Sequence, residues 1–339
     1  MKKVKVAIIG CGSIAIHRHV PEYAENDSAE IVAFCDLKIE RAEELAEKYG
    51  GVAYTDYKKM LADLEIDAVS VCLPNALHAP VSIQVAEAGC HVLCEKPMAT
   101  HTQEALDMIQ AAKDHNVLLM IGHNQRMMPP HVKAKEVLLT GEMGRVISFR
   151  TAFGHGGPEG WSIDGAESWF FRKEDAYVGA MGDLGVHKAD LIRWMLDDEV
   201  VEVSAFVENL DKEESTVDDN AVCLLRMSKG AIGTLTASWT YYKGEDNSTV
   251  LYCENGVIKI GTDPVDQVIV EKRDGQVERY NVGAIATNDA QVGSGVISAF
   301  VGAIVNGTTP SITGEDGLKS LQVILACMEA AATKKNVIL

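Results

Sequence analysis

The sequence predicts an α/β chain in two parts: a doubly wound parallel sheet over residues 1–122, then an α+β part over 123–339 built on a largely antiparallel sheet. Two observations carry this. Through the first 120 residues short β-rich runs alternate with helical periodicity, and beyond about residue 145 longer β-rich runs are joined by two-residue turns. A length of 339 residues is comfortable for two domains.

In the first part the strands read as Val4 to Ile9, Glu30 to Cys35, Val52 to Thr55, Ala68 to Cys72, His91 to Cys94 and Leu118 to Ile121. Between the second and third, Ala42, Leu45, Ala46 and Tyr49 follow i, i+3, i+4, i+7 spacing, which lays one apolar stripe on a sheet. In the second part Lys229-Gly230, Asn255-Gly256 and Asp274-Gly275 each lie between β-rich runs, the mark of sequential hairpins. Helices are predicted over about Met181 to Leu196, Val292 to Val305 and Glu315 to Ala332.

Composition narrows the function classes. The chain is 47% hydrophobic and 24% charged, an ordinary globular mixture, with a net charge of -18. That balance argues against nucleic acid or an anionic membrane as partner, because either requires clustered Lys and Arg. No apolar run approaches the roughly 20 residues needed to span a bilayer, so a cytoplasmic protein is expected. The eight cysteines sit mostly inside apolar runs with no CxxC spacing and read as small buried hydrophobes, not zinc ligands or disulfides.

Strand Val4 to Ile9 runs straight into Gly10-Cys11-Gly12-Ser13-Ile14-Ala15, which fits G-x-G-x-x-(G/A) between a strand and a helix. Gly10 permits the tight turn, Gly12 lets the backbone approach a pyrophosphate, and Ala15 allows close helix-to-sheet packing. The next strand ends in Asp36, 24 residues beyond Gly12, where a carboxylate accepts the ribose hydroxyls of an adenosine. Together these features predict a dinucleotide-binding Rossmann domain. The acid at Asp36 disfavours a 2′-phosphate, so NAD is preferred to NADP, and Lys38 and Arg41 close by are the cations that would favour NADP. Asp36 is also placed to cap the helix holding Glu40 to Lys48.

Two further segments place reactive groups. Cys94-Glu95-Lys96-Pro97 stands at the carboxyl end of the fifth strand, where open α/β sheets gather ligands. A solvated lysine ahead of a helix begun by Pro97 is the alternative. In Gly182 to Trp194 a helix would set Asp183 and His187 four residues apart on one face, so that the carboxylate holds a histidine tautomer. Its alternative is an Asp cap and a core histidine.

These motifs, in this order, resemble the Gfo/Idh/MocA oxidoreductases, the family of glucose-fructose oxidoreductase and inositol dehydrogenase. The resemblance runs through the glycine motif, Leu73-Pro74-Asn75 with His78, Glu95-Lys96-Pro97, Gly122 through Arg126, Asp183 to Trp194, and Gly314-Glu315-Asp316-Gly317 before the last helix. It implies an NAD-dependent dehydrogenase acting on a secondary alcohol of a sugar, cyclitol or related polyol. Lys96, Asp183 and His187 would form the catalytic group, with His187 as general base, Lys96 beside the developing alkoxide and Asp183 orienting the imidazole. No metal is required, because the nicotinamide carries the hydride. Gly10, Gly12, Ser13, Ile14, Asp36, Leu73, Pro74, Asn75, His78, Glu95 and Lys96 become the cofactor-binding set. The sequence departs from the family pattern at Ala15, in place of a third glycine, and at Lys334-Lys335, where many members have Gly-Lys.

Within the same family, a glycosidase or epimerase-type enzyme that recycles tightly bound NAD is the alternative, and a non-catalytic dinucleotide sensor is a third reading. The glycine-rich stretch Phe153 to Trp161, with Trp169 and Arg172 after it, offers hydrogen-bonding and aromatic groups suited to a polyol. His155, Trp161, Trp169 and Arg172 are the specificity candidates, and Arg126 with Asn124 reads as reaching the substrate or forming an interdomain salt bridge. The family resemblance also implies self-association through one sheet face, as a homodimer or homotetramer. Ala231 to Tyr242, rich in small and aromatic residues, is the strand expected there.

Overall fold

The structure, a computed structural model, describes residues 3–285 and 293–339. The chain forms two compact units. The first comprises Met1–Asn124, Trp161–Trp169 and Ala286–Leu318, and the second Gln125–Gly160, Phe170–Ile285 and Lys319–Leu339. A division at residue 122 would have one crossing, whereas the chain returns to the first unit twice.

In the first unit β1 (Val4–Ile9), α1 (Val20–Ala24), β2 (Ala29–Cys35), α2 (Ile39–Tyr49), β3 (Val52–Tyr54), α3 (Tyr57–Asp63), β4 (Ala68–Val71), α4 (Asn75–Glu87), β5 (His91–Cys94), α5 (Thr102–Asp114) and β6 (Leu119–Ile121) follow in turn. The strands form one sheet in the order β3-β2-β1-β4-β5-β6, paired in parallel throughout. Helices cover both faces of such a sheet, which is why β1 and β4 are nearly all buried, with only Lys5 and Ser70 interrupting their apolar runs. On α2 the buried positions are Ala42 and Leu45, while Glu43 and Glu44 face water. The strand order reverses between β1 and β4, so their carboxyl ends open the crevice in which doubly wound sheets bind ligands.

The remaining elements are α6 (Pro129–Leu139), β7 (Val146–Gly154), α7 (Lys173–Ala176), α8 (Val186–Leu196), β8 (Val200–Glu208), β9 (Asn220–Met227), β10 (Ile232–Ser238), β11 (Thr249–Cys253), β12 (Gly256–Ile260), β13 (Val268–Lys272), β14 (Val277–Tyr280), α9 (Val296–Asn306), α10 (Gly314–Thr333) and β15 (Val337–Ile338). Of these, α9 and the start of α10 as far as Leu318 belong to the first unit. The helix expected from Val292 begins at Val296, and Val292 itself lies outside the described residues. The second unit is built on a nine-stranded sheet, β14-β13-β12-β11-β7-β10-β9-β8-β15, antiparallel except where β10 lies parallel to β7. Along β9 the period of two is clear: Ala221, Cys223, Leu225 and Met227 are buried, and Val222, Leu224 and Arg226 are exposed. Lys334, which stands where relatives are expected to carry glycine, takes the left-handed conformation with φ 56° after α10. Among the described residues no helix is long and apolar enough to cross a membrane.

Candidate active site

The cofactor side of the first unit is built around the turn after β1. Gly10 has φ 92°, and a Cβ there would stand 2.3 Å from the Cys72 carbonyl oxygen, so glycine is required both by conformation and by the approach of β4. At Gly12 a Cβ would meet no atom within 4 Å. That open space beside the turn fits a pyrophosphate, as the motif predicts. The helical stretch that follows contains a π turn over Ala15–His19, with Ala15 fully buried.

Asp36 follows β2 directly. Its Oδ2 accepts the Cys11 backbone N–H at 2.8 Å and its Oδ1 that of Lys38 at 2.9 Å. The carboxylate is thereby fixed against the glycine turn. It does not cap α2, whose N-cap residue is Lys38 with no side-chain bond, so the capping alternative is set aside. Pro74 occupies the N-cap position of α4, and Asn75, buried, is the first residue inside that helix.

Two residues expected to touch the cofactor are turned inward. His78 is buried with Nδ1 2.7 Å from the Pro97 carbonyl and Nε2 2.8 Å from that of Leu73, and burial lowers its pKa. Its ring ties the loop after β4 to the loop carrying Lys96. Glu95 is also buried: Oε1 accepts from His19 Nε2 at 2.9 Å and Oε2 from the Lys96 N–H at 3.2 Å. Burial alone would raise the Glu95 pKa, but the His19 hydrogen bond and the charges of His19, Arg18 and Lys96 bring it down to about 2. The chain of contacts continues from His19 Nδ1 to Ser70 Oγ at 3.1 Å and from Ser70 to the Tyr23 hydroxyl at 2.9 Å. A Cβ on residue 122 would lie 3.0 Å from Glu95 Oε1, which accounts for Gly122. Glu95 and His78 therefore brace the segment that presents Lys96.

In the second unit Asp183 and His187 lie on one helical stretch, but a π turn over Met181–Gly185 precedes α8. The simple i, i+4 register of an α-helix does not hold through a π turn. Both side chains are buried. Asp183 Oδ2 accepts the Trp239 indole N–H at 3.1 Å and lies 3.9 Å from His155 Nε2. The Gly157 N–H donates to His155 Nδ1 at 3.0 Å, so His155 carries its proton on Nε2, toward Asp183. Phe153 joins the group, its ring 6.0 Å from that of His155 and 5.8 Å from that of His187.

Trp239 is wholly buried, flanked by Phe170 and Phe171 at ring separations of 6.4 and 5.7 Å. Trp239, just past β10 in the stretch Ala231 to Tyr242, thus lies in the core under Asp183. Spacing gave no sign of this. Lys188 was also missed: it is fully buried, donates to the Asn247 carbonyl at 3.1 Å, lies 5.8 Å from the Phe153 ring centroid, and is brought down to about 7 by burial against the opposing charges of Asp246 and Glu245.

The substrate candidates separate. Arg126 gives Nε and Nη2 to Asp190 at 2.7 and 2.6 Å, and Asp190 also accepts from Ser320 at 3.0 Å, so the guanidinium is held in a buried ion pair inside the second unit. Arg172 is exposed and gives Nε to Asp175 at 2.7 Å. Trp161 and Trp169 bound the segment that folds with the first unit. Of this set, His155 meets Asp183, a residue of the expected catalytic group in the second unit.

A dinucleotide fold joined to an α+β unit that buries an acid and its histidine neighbours defines a nicotinamide-dependent oxidoreductase. Comparison with known proteins agrees. Residues 4–123 match the family model described as oxidoreductase family, NAD-binding Rossmann fold, and residues 131–259 match the Gfo/Idh/MocA C-terminal domain. The chain is 29% identical over 308 residues to 1,5-anhydro-D-fructose reductase of Ensifer adhaerens, covering 90% of this chain and 89% of the relative. It is 28% identical over 309 residues to levoglucosan dehydrogenase of Pseudarthrobacter phenanthrenivorans, covering 83% and 78%. The crystal structure of myo-inositol 2-dehydrogenase from Lactobacillus plantarum matches with a TM-score of 0.84 at 26% identity over 100% of both chains. This chain belongs to the Gfo/Idh/MocA oxidoreductase family and is an NAD-dependent oxidoreductase.

Proposed function

We propose that the enzyme transfers a hydride between NAD and a ring carbinol carbon of a sugar, cyclitol or similar polyol. The observation that carries this is the buried Asp183, fixed by Trp239, with His155 beside it and His187 next along the same helical stretch. Relatives that act on anhydrofructose, levoglucosan and myo-inositol support a cyclic polyhydroxylated substrate. Bound NAD supplies the hydride acceptor or donor. His187 takes the proton of the substrate hydroxyl, Lys96 places its ammonium beside the oxygen as negative charge develops, and Asp183 stabilises the charged imidazole. Gly10, Gly12, Ser13, Ile14, Asp36, Leu73, Pro74 and Asn75 hold the cofactor, while Glu95 and His78 position the segment bearing Lys96. His155, with Trp161 and Trp169, selects the substrate.

The test is NADH production with a panel of cyclitols, aldoses and sugar acids. One NADH per polyol oxidised is expected. Glycoside cleavage without net NADH would replace the dehydrogenase by the recycling reading, and NAD binding with no turnover on the panel would remove the polyol reading.

The enzyme is further proposed to be a cytoplasmic homodimer or homotetramer. Its eight cysteines are free and buried, which suits a reducing compartment. Phe206, Val222, Leu224 and Ile232 share one face of the nine-stranded sheet by register and are more than half exposed, an apolar surface suited to a second copy of the chain. Light scattering on the purified chain checks it, and a monomer at micromolar concentration would contradict it.

A further inference from the structure

Lys38 and Arg41, close after Asp36, bear on the choice between NAD and NADP, because a 2′-phosphate on the adenosine ribose is accommodated by cations at this place. Neither cation stands alone. Asp164 Oδ1 accepts from Lys38 Nζ at 2.9 Å and from Arg41 Nη2 at 2.6 Å. Asp164 lies in the segment Trp161–Trp169, which folds with the first unit although it is far away in sequence. The same segment is fastened to the glycine turn: the Ile163 N–H donates to Ser13 Oγ at 2.9 Å, and Ser13 Oγ donates to the Trp161 carbonyl at 3.3 Å.

The strap is ordered from within as well. The Asp164 N–H donates to Ser162 Oγ at 3.3 Å, Ser162 Oγ donates to Ser168 Oγ at 3.0 Å, and a 3₁₀ turn spans Gly165–Glu167. Asp164 is therefore presented to the two cations by a pre-formed turn. Its carboxyl is held below the usual range, first by the Arg41 hydrogen bond and then by that of Lys38, with burial opposing. With Asp36 anchored to the Cys11 and Lys38 amides, two carboxylates and two cations form a locally neutral set at the ribose end of the cofactor cleft.

We propose that Asp164 is a cofactor-selectivity residue: by occupying Lys38 and Arg41 it withholds both cations from a 2′-phosphate and so favours NAD over NADP. Discrimination of this kind needs a repulsive element against the wrong ligand as well as contacts to the right one. Asp36 supplies the contact. Asp36 also repels a 2′-phosphate, and Asp164 removes the cations that would compensate for that repulsion. The Lys38 side chain is 61% exposed, so it can swing to a phosphate once released. The proposal rests on NAD binding in the crevice of the first unit and not on the identity of the substrate.

The experiment is calorimetric binding of NAD+ and NADP+, without substrate, to the full chain as wild type, as Asp164→Asn, and as Asp164→Asn with Lys38→Met and Arg41→Met. Wild type should bind NAD+ more tightly than NADP+. Asp164→Asn should tighten NADP+ roughly tenfold at about 50 mM salt while NAD+ stays within about twofold, and the gain should shrink as salt screens the charges. The triple variant should lose the gain. Equal weakening of both cofactors by Asp164→Asn would reduce Asp164 to a strap anchor, and no change in either, or equal wild-type affinities, would also overturn the proposal. Failure of wild type to bind NAD+ at all would fault the cofactor site itself, a separate result. Melting temperatures of the variants show that each is folded.

Discussion

The two units solve the same problem, holding charge still, by different means. In the first, the glycine turn and Asp36 are fixed by backbone: Asp36 by the amides of Cys11 and Lys38, and the turn by Gly10 against Cys72. In the second, Asp183 is fixed by the Trp239 indole just past β10 and stands near a histidine whose own tautomer is set by the Gly157 amide. A backbone cradle suits a cofactor that many enzymes share, and a side-chain cluster is free to vary with substrate. The contrast is sharpest at Lys96, the proposed catalytic cation, carried by the cofactor unit and braced by Glu95. Lys96→Met should therefore leave NAD affinity nearly unchanged and lower kcat by about 10³-fold, the scale of losing charge stabilisation at a developing oxyanion. Comparable turnover in the mutant would take Lys96 out of the mechanism.

The next largest effect is expected at the turn. Gly10→Ala adds a Cβ 2.3 Å from a backbone oxygen at φ 92°, and neither backbone can yield cheaply. Strain plus overpacking comes to roughly 2–5 kcal/mol. Denaturant melts should show that loss together with loss of NAD binding. An alanine variant of wild-type stability would mean that the turn is not as tight as the geometry states.

How much of this could be read beforehand follows the same contrast. The glycine turn, Asp36, the parallel sheet and the hairpin turns depend on neighbours within a strand–turn–helix unit, and local spacing encodes them. What spacing could not show are side-chain pairs whose partners are distant in sequence: Trp239 to Asp183 at a separation of 56, His19 to Glu95 at 76, Lys38 to Asp164 at 126. His78, inside α4, and Glu95, just past β5, are expected at the cofactor, yet their polar atoms turn inward to carbonyls and to His19. Arg126 was open between a substrate and a salt bridge until Asp190 closed around it. Burial of Trp239 had a weak signal, since an indole buried in a core needs an acceptor.

The second unit's dependence on side chains is tested by Trp239→Phe, which keeps the aromatic packing and deletes the N–H donated to Asp183. A hydrogen bond to a charged group contributes about 1.5–3 kcal/mol. If the bond serves to position Asp183, kcat should fall roughly 10–100-fold with KM and NAD affinity little changed. A loss of thermal stability with kcat intact would make the bond purely structural.

The smallest expected effect concerns Lys188, where the second unit buries a charge it leaves poorly compensated. Burial brings its pKa from 10.5 to about 7 in the folded chain. Between about pH 7 and 10.4 the unfolded chain therefore binds more protons than the native one, so this residue makes stability rise with pH across that window. Below pH 7 both states are protonated and the full cost of the buried ammonium is present. Lys188→Met keeps the methylene packing against Phe153, removes that cost, and leaves the Asn247 carbonyl without its Nζ donor. The net outcome is a gain of about 1–2 kcal/mol near pH 6 that fades toward pH 10. Urea midpoints of the two proteins measured from pH 6 to 10 check it, because a gain independent of pH, or one growing with pH, has the wrong sign for a buried ammonium.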